Sequence, residues 1–245
     1  MTATELYQAG KLAEAVQALN GELRDNPGDT KRRTFLFELL CFAGNYDRAD
    51  KQLEILAQEN KDAQMGALVY RAALHAERTR CDVFQKKEYP QTGGSSEPQA
   101  VKGTWNGKPF ESISDADPRI GARLEVFAAG QYLWVPFEHI ASIEIQPPKR
   151  LRDLIWAPAI LRTGPSFRDR ELGEVLLPVL APFSFQQEDD ALKLGRVTDW
   201  REIESGEVVP FGQKTFLIDD EEAPILELRH LEIQPASSVD QHASS

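Results

Sequence analysis

The chain has 245 residues, of which 41% are hydrophobic, and this length suits one or two globular domains with a real core. Its formal net charge of −11 argues against nucleic acid or an anionic membrane as the main partner. The two cysteines form no CxxC pair, which argues against a disulfide framework or a zinc knuckle and favours a reducing compartment. Because the N-terminus, MTATELYQAGK, has no apolar signal core, we expect a cytoplasmic protein.

A repeat organises the beginning of the chain. The segment AGKLAEA at 9–15 aligns with AGNYDRA at 43–49, an offset of 34 residues. This pattern is typical of a tetratricopeptide helical hairpin, in which the glycine ends the first helix and the alanine lets the second helix approach it. We therefore predict an all-α, tetratricopeptide-like N-terminal domain at residues 1–85, with Gly10 and Gly44 in equivalent turns. The predicted helices span residues 2–9, 12–25, 30–43, 46–59 and 62–84.

The composition changes after the last predicted helix. Residues 86–103 are polar and rich in Gly, Ser and Pro, which predicts a linker. Beyond it the Asn106-Gly107 pair is typical of a two-residue hairpin turn. We predict that residues 104–235 form an α+β C-terminal domain, mostly antiparallel β, as a bent sheet or an open barrel. Residues 236–245 are predicted to be a disordered tail. Strands are predicted at 122–128, 131–137, 142–146, 174–179, 192–197, 213–219 and 224–232, and a short helix at LRDLIW (151–156).

The stretch GQYLWVPFEHI, at 130–140, combines aromatic residues with an acid–histidine pair. Glu138 beside His139 is one candidate for a general base. Such a base needs an orienting acid and a cleft, however, and adjacent residues in a chain rarely face each other. We therefore interpret the stretch as core, with both faces of a central strand covered, and predict that Trp134 and Phe137 are buried.

Asp115 and Asp117 raise the question of a metal site, since alternate residues of an extended strand share a face. The alternative interpretation is an Asx-type turn leading into Pro118, with Arg119 paired to a nearby acid. No third ligand stands at a clear spacing from these carboxylates. The sequence also contains no glycine-rich phosphate loop, GxSxG elbow or HExxH motif. We therefore predict no catalytic, cofactor-binding or metal-binding residues.

Four blocks of the C-terminal region resemble a known family. In chain order they are TWNGKPFESISDADPRIGARLEVFAAGQYLWVPFEHI, PPKRLRDLIWAPAILR, LGRVTDW and FGQKTFLIDD, and they span about residues 104–232. These blocks are similar to those of the ImpE/TagJ/SciE accessory proteins of bacterial type VI secretion, whose front half is also tetratricopeptide-like. Members of that family usually carry more helical sequence before the WNG block than this chain does.

The resemblance implies a non-enzymatic, cytoplasmic adaptor without a cofactor. Proteins of this family bind the N-terminal helix of the small contractile-sheath subunit, with a proposed link to the AAA+ ATPase that recycles contracted sheath. We expect the same partners here, and no nucleic acid or membrane partner.

A binding surface follows from mapping the 34-residue unit onto helix geometry. The inner faces of the first, third and fifth helices would form an apolar strip with a polar edge, which suits an amphipathic partner helix. The alternative is that the C-terminal domain of the same chain covers this strip. The predicted partner-binding residues are Tyr7, Gln8, Phe35, Glu38, Phe42, Leu68, Val69, Ala72 and His75.

Two other classes of protein remain open. A tetratricopeptide co-chaperone or scaffold that grips a peptide carboxylate would need Lys, Arg and Asn on the strip, where the mapping offers only Lys31. A metal-dependent hydrolase in the C-terminal domain would use Asp115, Asp117 or His139, and would need a deep pocket that joins them.

Overall fold

Five consecutive helices form the first part of the chain in the computed structural model, which describes residues 1–90, 101–164 and 172–234. Side chains of Thr2, Asp29 and Asn60 accept backbone N–H groups at three of the helix starts, as N-caps do. The helices agree with the predicted ones to within three residues at each end. They are α1 (Ala3–Gln8), α2 (Leu12–Asp25), α3 (Thr30–Phe42), α4 (Tyr46–Leu56) and α5 (Lys61–Lys86).

The two helix–helix turns at Gly10 and Gly44 are equivalent. Both glycines have positive φ, +78° and +66°, the left-handed conformation that glycine adopts without steric cost. In both turns the amide after the glycine donates to the carbonyl five residues earlier, at 2.9 and 2.8 Å. Ala15 and Ala49 are fully buried. The predicted tetratricopeptide-like repeat is therefore confirmed.

The described part of the remaining chain is mostly antiparallel β structure. Eight strands form one sheet in the order β2-β1-β13-β6-β7-β8-β4-β5, and β11, β12 and β3 form a smaller one. Because β2 and β5 stand at the two ends of that order, the sheet is open, and the predicted bent-sheet fold class is confirmed. The strands are β1 (Gly103–Trp105), β2 (Lys108–Phe110), β3 (Ile113–Asp115), β4 (Arg123–Ala128), β5 (Gln131–Pro136), β6 (Ile140–Ile145), β7 (Trp156–Thr163), β8 (Gly173–Pro178), β9 (Thr198–Glu202), β10 (Val208–Gly212), β11 (Thr215–Ile218), β12 (Glu221–Pro224) and β13 (His230–Ile233), with the short helix α6 (Asp190–Lys193) between β8 and β9.

Some predicted elements differ from the structure. The strand predicted at 192–197 is wrong, because α6 ends there and Gly195 turns the chain with a φ of +62°. Leu192 and Leu194 are both buried, so their alternation resembled a strand. The helix predicted at LRDLIW is a single 3-10 turn, Leu151–Leu154, and β7 follows it directly. A 3-10 turn, Ile225–Glu227, likewise occupies the start of the strand predicted at 224–232.

One hydrophobic core joins the helices to the sheet. Phe127, Ile155, Trp156 and Leu194 belong to the same buried cluster as the inner residues of the helices. A second cluster lies on the other side of the sheet. The division into domains at 1–85 and 104–235 stays a prediction, and the predicted tail, 236–245, lies outside the described residues, as do residues 91–100 of the predicted linker. None of the described helices combines the length and apolarity needed to cross a membrane.

Candidate partner-binding site

Trp156, the first residue of β7, anchors the sheet to the helices. Its indole stacks on Tyr70 of α5, with ring centroids 6.2 Å apart and planes at 25°, and also contacts Phe37 of α3. The indole N–H donates to Glu77 Oε2 at 3.0 Å, so the polar atom of this fully buried side chain is satisfied. The sheet therefore closes the inner face of the helices at this level.

A buried ionic cluster also lies at the junction between α5 and the sheet. Arg80 of α5 donates through Nε and Nη2 to the two carboxylate oxygens of Glu125 on β4, at 2.8 Å each. Lys214 lies 2.6 Å from Glu125 Oε2 and 2.5 Å from Asp115 Oδ2. Burial by itself would raise the pKa of Glu125, but Arg80 and Lys214 hold that pKa below its usual range. Burial raises the pKa of Asp115 to about 7 despite the nearby Lys214.

The two carboxylates considered for a metal site serve ion pairs. Asp115 binds Lys214, and Asp117 accepts from Arg119 through both oxygens, at 2.8 and 2.5 Å. The structure therefore agrees with the alternative to a metal site, a turn in which Arg119 pairs with a nearby acid. In the described ranges no group of three or more His, Cys, Asp and Glu side chains is placed to hold a metal ion. Glu138 and His139 approach each other only to 3.7 Å at the surface.

Four of the predicted partner-binding residues lie against the rest of the chain. Phe42 has 0% exposure, and Glu38 is buried beside Arg152, 3.4 Å from its guanidinium. Burial raises the pKa of Glu38 to about 7, against the opposing effect of Arg152. Tyr7 and Phe35 are half-buried and meet edge to face at 5.8 Å. At Glu38 and Phe42, therefore, the chain itself occupies the predicted strip, and these two residues offer no surface to a partner.

Arg196 covers the end of the strip at α1. It donates to the carbonyls of Gln8 and Tyr7 at 3.0 and 2.6 Å, and its guanidinium lies 5.1 Å from the centre of the Tyr7 ring. Gln8 on α1 and His75 on α5 are themselves exposed.

The remaining predicted residues, Leu68, Val69 and Ala72, line an open groove of about 750 Å³ between α5 and the sheet. We call it the α5–sheet groove. Leu68 is 61% exposed and Val69 is 50% exposed, which is unusual for large apolar side chains so close together. Three of the nine predicted partner-binding residues therefore lie together at an accessible surface.

The opposite wall of the α5–sheet groove is the outer face of β7 and β8. Pro158 pairs across the strands with Leu176, and Ile160, which is 42% exposed, pairs with Glu174. Glu144 of β6 stands on the other side of Ile160, so an apolar wall carries two carboxylates. This wall was not predicted from the sequence, because no strand was predicted at β7. The alternation within WAPAILRT was the signal that could have found it.

Trp134 does not lie in the core, and the prediction that it is buried was wrong. It is half-buried, stacked on Tyr89 with centroids 5.8 Å apart, and the guanidinium of Arg123 lies 4.9 Å from its ring centre. The reason is that β5 is the last strand of the sheet rather than a central one. Phe137 is buried, as predicted.

Comparisons with known proteins identify the family. Residues 107–232 match the family model described as ImpE protein, and residues 6–72 match a tetratricopeptide repeat model. The chain is 30% identical to the type VI secretion system accessory component TagJ of Pseudomonas aeruginosa, over an alignment of 269 residues that covers 97% of this chain and 93% of that protein. The chain belongs to the ImpE family. The resemblance seen in the four sequence blocks is thereby confirmed.

A solved relative has the same fold. The crystal structure of protein VPA1032 from Vibrio parahaemolyticus is 25% identical, superposes with a TM-score of 0.85, and is matched over 97% of this chain and 99% of that one. In this ImpE-family chain the α5–sheet groove lies where the two matched regions meet. Leu68 and Val69 come from the tetratricopeptide match, and Ile160 and Leu176 come from the ImpE match.

Proposed function

We propose that this ImpE-family chain is a non-enzymatic, cytoplasmic adaptor of the type VI secretion machinery. It binds the N-terminal helix of the small contractile-sheath subunit and links that subunit to sheath recycling by an AAA+ ATPase. The exposure of Leu68 and Val69 along the α5–sheet groove is the observation that carries the proposal. The relative TagJ is itself named as a type VI secretion system accessory component, which supports the same role for this chain.

The chemistry of the α5–sheet groove suits an amphipathic helix. Leu68, Val69 and Ala72 stand at positions i, i+1 and i+4 of α5, so they form one apolar ridge on the helix surface. Ile160 faces that ridge from the sheet. A partner helix laid between them would remove these apolar side chains from water, and this removal is the main source of affinity in a helix-in-groove complex.

The charges beside the α5–sheet groove favour a partner helix that carries basic residues along its edge. Glu174 and Glu144, which lies 3.8 Å from Arg162, flank Ile160, and no Lys or Arg occurs among the described residues that line the groove. Basic residues beside the apolar ridge of the partner helix therefore fit this surface. Such edge charges act mainly on orientation and on the association rate.

The co-chaperone alternative is disfavoured at the α5–sheet groove by the same charges. A site that grips a peptide carboxylate needs cationic and amide donors at the contact. The described lining of this groove offers two carboxylates and one amide side chain, Gln146, instead.

The test is calorimetric titration of the full chain with the isolated N-terminal peptide of the small sheath subunit. Leu68→Glu and Val69→Glu place a charge on the apolar ridge and should weaken binding by about tenfold or more, because a few desolvated anchors carry most of the affinity of such complexes. Ile55→Glu is the matched control, since Ile55 is an exposed apolar residue on α4 that does not line the groove. Equal affinity of the peptide for the wild-type chain and the three variants would show that it binds elsewhere.

A further inference from the structure

A second groove, which we call the arginine groove, lies on the helical part of the chain. It runs between α2 and α4 with α3 below, and has a volume of about 1060 Å³. Val16 and Leu36 contribute to an apolar floor, and Phe185 from the C-terminal part closes one end. The arginine groove shares no lining residue with the α5–sheet groove. It is therefore a separate surface.

Three arginines line the arginine groove, and none of them pairs with a carboxylate in the described part of the chain. They are Arg24, Arg33 and Arg48. Arg33 donates to neutral oxygens, the carbonyl of Pro27 at 2.6 Å and the side chain of Gln52 at 2.8 Å. Arg48 donates to a side-chain amide oxygen of α2 at 3.3 Å. Within the described residues no carboxylate therefore neutralises their positive charges, although the chain as a whole carries a net charge of −11.

The other arginines of residues 1–90 are all paired with acids. These pairs are Arg32 with Glu22 and Asp29, Arg71 with Asp50, Arg78 with Asp47, and Arg80 with Glu77 and Glu125. Lys193, at one end of the arginine groove, is neutralised by Asp190 at 2.7 Å. Uncompensated guanidinium groups of the helical part are therefore concentrated on this one surface.

Gly21 is a second and independent feature of the arginine groove. It lies in the interior of α2, where glycine is less favourable than alanine. A Cβ at this position would meet no atom within 4 Å, so internal packing does not require the glycine. Its bare backbone lines the groove, where it would let another chain approach α2 closely.

We propose that the arginine groove binds an acidic polypeptide segment. The carboxylates of this segment pair with Arg24, Arg33 and Arg48, whose planar guanidinium groups match a carboxylate in a two-bond geometry. Its backbone crosses α2 at Gly21, and its apolar side chains rest on the floor of the groove. This site goes beyond the proposed function, because it supplies the adaptor with a second surface of opposite charge preference from the α5–sheet groove.

A short acidic peptide fits the arginine groove better than nucleic acid does. Double-stranded DNA carries one charge for roughly every 1.7 Å of its axis, so it would bring many phosphates against a protein whose net charge is −11. A peptide brings only the few carboxylates that the three arginines can pair with. The apolar floor also offers contacts for aliphatic side chains rather than for a sugar-phosphate backbone.

The test measures fluorescence anisotropy of the full chain with a labelled peptide of three Leu-Glu-Glu-Ala units. The wild-type chain should bind this probe, and the affinity should fall as salt is added, because the contacts are ionic. Arg33→Glu, Arg48→Glu and Gly21→Leu should each weaken binding by about tenfold or more. Lys51→Glu on the same helix α4 and Gly66→Leu in α5 are matched controls outside the groove, and both should bind as wild type does.

Several results would overturn the proposal. One is equal binding of the probe by wild type, Arg48→Glu and Gly21→Leu proteins that show the same circular dichroism spectrum. A second is equal or tighter binding of the matching Leu-Lys-Lys-Ala peptide. A third is tighter binding of an oligothymidylate of the same charge, which would make the surface a nucleic-acid site. A fourth is failure of the probe to bind, together with oligomers in analytical sedimentation that the Arg33→Glu substitution dissociates. This result would make the arginine groove a contact between copies of this chain.

Discussion

Arg80 on α5 and Glu125 on β4 form a bidentate ion pair, with both N–O distances at 2.8 Å and both side chains out of contact with water. The pair links the helical part to the sheet across 45 residues of sequence. Lys214 and Asp115 extend it from the opposite side. The pair therefore holds α5 against the sheet that forms the other wall of the α5–sheet groove.

Removing one partner of the junction should destabilise the chain strongly. In Glu125→Ala, Arg80 and Lys214 lose a carboxylate that both use, and we expect a loss of about 3–5 kcal/mol in the free energy of unfolding. Arg71→Ala, which breaks the exposed pair with Asp50, is the control and should cost about 0–1 kcal/mol. Urea denaturation of the three proteins measures both values, and similar losses in the two variants would show that the buried pair has no special role.

The titration of Glu38 should appear in the pH dependence of stability. Its pKa in the folded chain is raised to about 7 from an ordinary value of 4.5, mainly by burial. A raised carboxyl pKa stabilises the fold fully below the unfolded pKa, and this contribution disappears as the pH rises through the folded pKa. Between pH 5.5 and 8 the wild-type chain should therefore lose about 2 kcal/mol relative to Glu38→Gln, which cannot titrate.

Urea denaturation of both proteins at several pH values checks this expectation. The comparison with Glu38→Gln cancels the other titrating groups, including Asp115. A difference in stability that stays constant from pH 5.5 to 8 would mean that Glu38 remains ionised beside Arg152 in the folded chain.

The two tryptophans at the junction should respond differently to truncation. Trp156 is fully buried and stacks on Tyr70, so Trp156→Ala should leave a cavity and cost about 3–5 kcal/mol. Trp134 is half-buried on the last strand of the sheet, and Trp134→Ala should cost clearly less, about 1–2 kcal/mol. Thermal or urea unfolding of the two variants ranks them, and a larger loss at Trp134 would contradict the structure.

The helical part could be predicted from the sequence because its signals are local. Gly10 and Gly44 mark the turns, and the helical periodicity around them covers each helix. Elements of the sheet were harder to predict where a proline or a leucine pair obscured the pattern. Pro158 interrupts the strand pattern of β7, so that β7 was not predicted. The alternation of Leu192 and Leu194 made α6 resemble a strand.

The candidate site could be predicted only in its α5 half. The positions of Leu68, Val69 and Ala72 on one side of a helix follow from helix geometry alone. The burial of Glu38 beside Arg152 depends on a contact with a distant part of the chain, and the position of Ile160 opposite α5 depends on strand order. Neither of these long-range relationships is recorded in a local sequence pattern.

The most direct test of the α5–sheet groove is methyl NMR of the full chain titrated with the N-terminal peptide of the small sheath subunit. Leu68, Val69 and Ile160 line the groove from both walls, whereas Val197 and Val208 are comparably exposed residues that do not line it. We predict that the methyl signals of the first three shift with increasing peptide and that those of the two valines stay unchanged. Shifts at Val197 and Val208 with unchanged signals from Leu68, Val69 and Ile160 would contradict the account.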